Sequence, residues 1–236
     1  MRALRKGLIV LFVLAVLFIA ADRVALLVAE GEAAERIKKA EGVSSTADTS
    51  IDIKGFPFLT QVAAKELEQV DAELSGMTTK AGDEQLTVTR VDARLRHVRL
   101  SGNYSSAVAD QATGTALISY DDLTKAAQDG VRVSWGGKDE RGKGRVKVSA
   151  SITLLGQTFK RSVTSSVSVS GGDTVKLRAD KVPGGSIPGL EDTIRGKIDF
   201  TREISGLPAG LELEKVVATK KGVELSVRGR GVELGG

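Results

Sequence analysis

One histidine and no cysteine are all that this chain offers for metal or thiol chemistry. His97 sits in "DARLRHVRL" (92–100), an alternating run crowded with arginines. A general base or zinc ligand needs partners, and no second His or Cys exists to complete a triad or a zinc set. His97 therefore reads as a residue on a strand surface. Asp121 and Asp122 are adjacent carboxylates, but they open "YDDLTK" (120–125), where acidic groups cap a helix and oppose its dipole. "GKG" (142–144) and "PGGSIPG" (183–189) are glycine-rich, and neither has the Gly-Lys-Ser/Thr spacing of a phosphate loop. Asn103-Tyr104-Ser105 is a glycosylation sequon and marks an exposed loop. The arginines of "RVDARLRHVR" (90–99) form a solvated strand face, or a strip that meets lipid phosphates if the protein is held at a membrane. None of these groupings carries a reaction, so the chain is expected not to be an enzyme and to need no cofactor or metal.

The segment with an unusual design is apolar. Aromatic residues make up only 4% of the chain, yet Phe56 and Phe58 flank Pro57 in "GFPFLTQ" (55–61). Gly55 allows backbone conformations closed to other residues. Pro57 fixes its own φ and pushes Phe56 into an extended shape. Two readings stay open. The rings plug one end of the core, or they guard the mouth of an apolar cavity or dip into a membrane, since aromatics offer large area at low entropic cost. On the second reading Gly55, Phe56, Pro57, Phe58 and Leu59 are the candidate lipid-binding residues.

The elements that must hold this segment are mostly strands. "SIDIK" (50–54) alternates with Ile51 and Ile53 on one face. "LTQVAAKELEQVDAEL" (59–74) divides into a turn or short helix as far as Lys65 and a strand from about Leu67. "QLTVTRV" and "DARLRHVRL" alternate through 85–100, with a bulge expected near His97. Further strands are expected at 114–119, 131–135, 145–155, 157–170 and 173–182. Short helices are expected at 120–128, with Ser119 or Asp121 as N-cap, and at 189–198. "LELEKVVATKKGVELSVRGRGVEL" (211–234) reads as a closing hairpin turning at Lys221-Gly222. One strand face is Val, Ile, Leu and Ala, and the other is Ser, Thr, Lys and Arg. That pattern predicts an antiparallel sheet with one wet side. Two short helices cannot cover a broad sheet, so it must curl or be covered by something else. The fold class is α+β, mostly β: a long curved antiparallel sheet with one or two short helices, preceded by an N-terminal membrane or signal helix.

Arg2, Arg5 and Lys6 precede "GLIVLFVLAVLFIAA" (7–21), the pattern of a secretory signal. Ile19 and Phe18 spoil the small-residue cleavage positions, which favours an uncleaved signal-anchor over a cleaved peptide. The basic residues place the N-terminus in the cytoplasm and the rest of the chain outside. Residues 1–21 are thus the signal-anchor or signal peptide, 22–49 a helical stalk and Gly/Ser/Thr linker, and 50–236 the β-rich domain. The formal charge of +4 is a mild bias toward anionic surfaces. It lacks the clustered basic stripe of a nucleic-acid binder.

"IDIKGFPFLTQ" (51–61), "YDDLTK" (120–125), the tail "LPAGLELEKVVATKKGVELSVRGRGVEL" (207–234) and the N-terminal apolar segment resemble the LmeA-like phospholipid-binding proteins of the actinobacterial cell envelope. The resemblance runs over most of the chain after the linker, and "GFPFLTQ" is its most specific element. It implies an extracytoplasmic protein at the cell membrane, binding phospholipid and supporting envelope lipid or lipoglycan assembly. The partners expected are anionic phospholipid, the membrane and an envelope-biosynthesis protein. Acyl chains would lie in an apolar concave face. The alternative is a non-catalytic scaffold for an envelope-synthesis enzyme.

Overall fold

The computed structural model describes residues 2–39, 48–81, 84–104, 106–127, 130–154, 157–180, 195, 199–204 and 207–234. The expected helix at 189–198, apart from Arg195, and the glycine-rich loop at 183–189 lie outside the described residues, as does most of the linker before residue 48.

The apolar N-terminal run continues without a break into the charged segment after it, as one helix α1, Arg2–Lys39. Ala, Leu, Glu, Lys and Arg dominate that second half, and no proline interrupts it. Strand β1 (Thr49–Lys54) leads through Gly55–Pro57 into a short helix α2 (Phe58–Ala64). Lys65, in the left-handed conformation at φ 56°, ends α2 and starts β2 (Glu66–Ala81). The division expected at Lys65 is therefore observed. Strands β3 (Glu84–Ser101) and β4 (Ser106–Ser119) complete an antiparallel meander, joined by a 3-10 turn at Gly102–Tyr104.

Helix α3 (Tyr120–Lys125) carries the chain to a second sheet. That sheet holds β5 (Val131–Lys138), β6 (Gly144–Leu154), β7 (Gln157–Ser170), β8 (Thr174–Ala179) and β9 (Phe200–Glu203), in that order. The chain then returns. Strands β10 (Leu211–Ala218) and β11 (Gly222–Leu234) form the expected hairpin, and β11 pairs with β4. The first sheet thus has the order β1-β2-β3-β4-β11-β10. The mostly β, antiparallel architecture is the one read from the alternation, now divided between two sheets.

The divided sheet answers the question of what covers the apolar faces. At one end Leu213, Val216, Ala218 and Val223 of the first sheet pack on Val146, Val148, Val163, Val175 and Leu177 of the second. At the other end Ile53, Leu67, Val98 and Ala109 are covered by Phe58 of α2 and by Ala25, Leu26 and Ala29 of α1. Leu95 and Val98 both join this cluster although strict alternation would point them to opposite faces. His97 lies between them at φ 50°, and this left-handed residue steps the alternation by one. The pairing register is the same on both sides of it, so the bulge expected near His97 is absent, and the departure there is a left-handed residue within continuous pairing. His97 itself is exposed.

Candidate functional site at Gly55–Gln61

Nearly every residue of "GFPFLTQ" has a task inside the fold. Gly55 sits at φ 98°, and an added Cβ would meet the ends of Gln61 and Glu68 at 2.7 Å. Phe58 is 5% exposed and fills the cluster beneath α1. The Thr60 hydroxyl donates to the Pro57 carbonyl at 2.8 Å, tightening the first turn of α2. The Gln61 side chain bridges two strands: its Oε1 accepts from the Glu68 N–H at 2.8 Å, and its amide donates to the Lys54 carbonyl at 3.3 Å. Leu59 is half-buried, and its N–H donates to Asp22 Oδ1 at 2.7 Å. Phe56 is the exception. Phe56 is 61% exposed, and the Arg23 guanidinium lies over its ring, 5.1 Å from the centroid.

Helix α1 clamps this segment through two carboxylates two turns apart. Pro57, the N-cap of α2, offers no capping side chain. Asp22, fully buried, supplies the missing acceptor from another helix and also pairs with Arg23. Glu30 accepts from the Ile53 N–H at 2.8 Å and so holds the edge strand β1. Both carboxylates were missed as site residues in the sequence. The signal was there: a carboxylate immediately after 15 apolar residues needs a buried partner, and an unpaired helix start is such a partner. Three cations stand near the segment: Arg23 on α1, paired with Asp22, Lys54 at the end of β1, paired with Asp52, and Lys65 at the end of α2. Lys65 also lies over the Tyr104 ring at 6.0 Å.

A groove of about 540 Å³ crosses the opposite, polar face of the first sheet. Asp71, Asp92, Arg94, Thr113, Thr115 and Arg228 are among its lining residues. Its charges are paired across strands: Arg94 with Asp71 at 3.0 Å, Arg90 with Glu73 at 2.9 Å, Arg228 with Glu214 at 3.1 Å. Such a surface suits a polar ligand or a protein face, and does not suit an acyl chain. Among the described residues, no group of three or more His, Asp or Glu is arranged to hold a metal.

The remaining motifs are joints. Ser119 caps α3, accepting from the Asp122 N–H at 3.1 Å. Burial opposes ionisation of Asp122, and hydrogen bonds from Ser119, Thr89 and Lys125 outweigh it, so its carboxyl lies below the usual range. The Tyr120 hydroxyl donates to the Thr219 carbonyl at 2.7 Å, and Thr124 accepts from the Val133 N–H at 2.9 Å. "YDDLTK" thereby ties the β10–β11 turn to the start of the second sheet. In "GKG", an added Cβ on Gly144 would fall 1.9 Å from the Ala218 carbonyl oxygen. That glycine permits close packing of β6 on β10, which accounts for it without a phosphate.

Gly55–Leu59 are thus brought together on the β1–α2 connection against α1, with Phe58 inward and Phe56 outward. No curated protein and no solved structure matches the chain. The model of LmeA-like phospholipid-binding proteins matches residues 20–228, from the end of the apolar run to the last strand, and the chain belongs to that family.

Proposed function

We propose that this protein is a membrane-tethered, non-catalytic phospholipid-binding protein. Its domain stands on the extracytoplasmic side and supports envelope lipid or lipoglycan assembly. The family match over residues 20–228 supports phospholipid as the ligand. Helix α1 is long and apolar enough to cross a membrane from Leu4, and Arg2, Arg5 and Lys6 at its N-terminal end favour a cytoplasmic N-terminus. Gly55–Leu59 present the lipid-contacting side chain, Phe56, while Gly55, Pro57, Phe58 and Leu59 hold it in place, and the observation that carries this is Phe56. It is a large aromatic ring left 61% exposed in a motif whose other residues are committed to the fold. The apolar faces of the sheets are covered by each other and by α1 and α2, so acyl chains lie along this outward ring rather than in the concave face expected from the sequence, each buried methylene being worth about 0.8 kcal/mol. Arg23, Lys54 and Lys65 flank the entrance and favour an anionic head group.

The test is lipid retention. The full chain is purified in mild detergent beside a control carrying residues 1–30 on an unrelated soluble protein. The bound lipid of each is identified by mass spectrometry. Phospholipid in excess of the control is expected, falling in Phe56→Ala. Retention no greater than the control would refute lipid binding by the domain. A scaffold role for an envelope-synthesis enzyme is the second reading, and the ion-paired polar groove favours it. In that case substitutions in the groove, such as Arg94→Ala, impair envelope assembly without changing bound lipid.

A further inference from the structure

The apolar run is too short for the bilayer it is read as crossing. Gly7–Ala21 supplies 15 residues. At 1.5 Å per residue this is about 22 Å of helix, against a hydrocarbon core of about 30 Å. Counting from Leu4, with Arg5 and Lys6 snorkelling outward, raises it only to about 27 Å. The missing length, roughly 3–8 Å, has to come from beyond Ala21.

Beyond Ala21 the two sides of α1 differ. One side, with Asp22, Ala25, Leu26 and Ala29, lies on the domain. The other presents Val24, Leu27 and Val28, which are 62%, 68% and 66% exposed. Their i, i+3, i+4 spacing makes one apolar stripe continuous with the run before it. Phe56 stands beside the same stretch, held against Arg23.

We propose that the α1–α2 edge of the domain is sunk into the bilayer boundary, rather than held above it on a stalk. Val24, Leu27, Val28 and Phe56 supply the apolar length that Gly7–Ala21 lacks, and the occupant of this face is the lipid bilayer itself. The burial of Asp22 fits this position. A carboxylate at the hydrocarbon boundary is costly unless it is paired. Asp22 is fully buried between the Arg23 guanidinium and the Leu59 N–H. A lipid then passes from bilayer to domain along Phe56 without crossing water. The inference rests on the tethered reading above.

The chain has no cysteine, so single labels can be introduced without removing anything. The full chain, as Leu27→Cys, Phe56→Cys or Glu140→Cys, is spin-labelled and reconstituted in phosphatidylcholine–phosphatidylglycerol vesicles. Collision with oxygen and with a water-soluble nickel chelate is then measured. Glu140 is exposed in the β5–β6 turn of the second sheet, whose core cluster α1 does not join. Labels at Leu27 and Phe56 should be several-fold more accessible to oxygen and protected from the chelate, with the reverse at Glu140. Chelate access at Leu27 and Phe56 equal to that at Glu140, in vesicles from which carbonate does not extract the chain, overturns this inference alone. Protection at all three sites overturns it also, because immersion is then not confined to this edge. Extraction of the chain by carbonate overturns the tether and the inference together.

Discussion

Truncation of the two rings of "GFPFLTQ" to alanine separates their roles. Phe58 is 5% exposed among Ile53, Leu67, Val98 and Ala109. Phe58→Ala leaves a cavity under α1 and should cost about 3–5 kcal/mol. Phe56 is 61% exposed, so Phe56→Ala removes a partial contact worth about 1 kcal/mol. It also removes the Arg23 stacking, about 0.5–1 kcal/mol. A domain of this size loses roughly 2–4 °C in Tm per kcal/mol. The melting temperatures of the two variants, followed by circular dichroism, should therefore lie about 7 °C apart, with Phe58→Ala the lower. Lipid retained per folded molecule should show the opposite order, falling in Phe56→Ala and holding in the folded fraction of Phe58→Ala. Equal loss of stability in both variants would refute the division into an inner and an outer ring. A stable Phe56→Ala with normal bound lipid would remove Phe56 from the site.

Helix α1 contributes a core layer through Asp22, Ala25, Leu26, Ala29 and Glu30. A chain starting at Ala21 should therefore unfold cooperatively as a domain, whereas one starting at Gly42 should show a broad, early transition; equal melting curves would contradict the clamp. The Tyr120 hydroxyl is pushed up to about 12 by burial, while a free phenol titrates near about 10. Between those values the unfolded chain has lost a proton that the folded chain keeps, so stability holds below about pH 10 and falls toward about pH 12. The partial exposure of Tyr120 limits the size of the fall, and an alkaline slope in urea midpoints that persists in Tyr120→Phe would refute the assignment. With Arg23, Lys54 and Lys65 around the entrance, the full chain should take up lipid faster from anionic than from neutral donor vesicles. The difference should shrink as salt rises and the screening length drops to about 8 Å, and indifference to donor charge at low salt would count against an anionic ligand.

Local chemistry was legible in the sequence where one residue decides it. Lys65 could end α2 because the propensity for helix and the alternation of β2 meet there. Ser119 could cap α3, and Lys221-Gly222 could turn the last hairpin. What period 2 cannot reveal is the partner. Val146 and Val148 alternate in the same way as Val223 and Leu225, and nothing in either run says that they belong to different sheets facing each other. The two phenylalanines were legible as a rigid pair, yet their opposite fates depend on α1. Phe58 is buried because Ala25, Leu26 and Ala29 lie over it, and a stalk reading of residues 22–49 gives no reason to expect that cover. At His97 the sequence suggests a bulge, but the strand pairing runs on unbroken; the left-handed backbone that puts Val98 on the same face as Leu95 has no signal in period 2.

The order of strands in the first sheet has a consequence for how the molecule is made. Strand β4 pairs with β3 on one side and with β11 on the other, from Ser119 opposite Gly222 to Ala107 opposite Leu234. The chain emerges in a different order, with the whole second sheet between those partners. Strands β1–β4 and α1 can assemble early, since they are neighbours in sequence, but the outer edge of β4 then stands unpaired along Ser106–Ser119 until the final hairpin exists. The second sheet folds meanwhile as an excursion from that waiting edge. Docking of β11 on β4 is the closing event, and it reaches both ends of the molecule at once. Val223 and Leu225 join the contact between the sheets, and Leu234 packs on the cluster beneath α1. A delay in the hairpin leaves a long open strand edge, the state in which one half-made copy pairs with another.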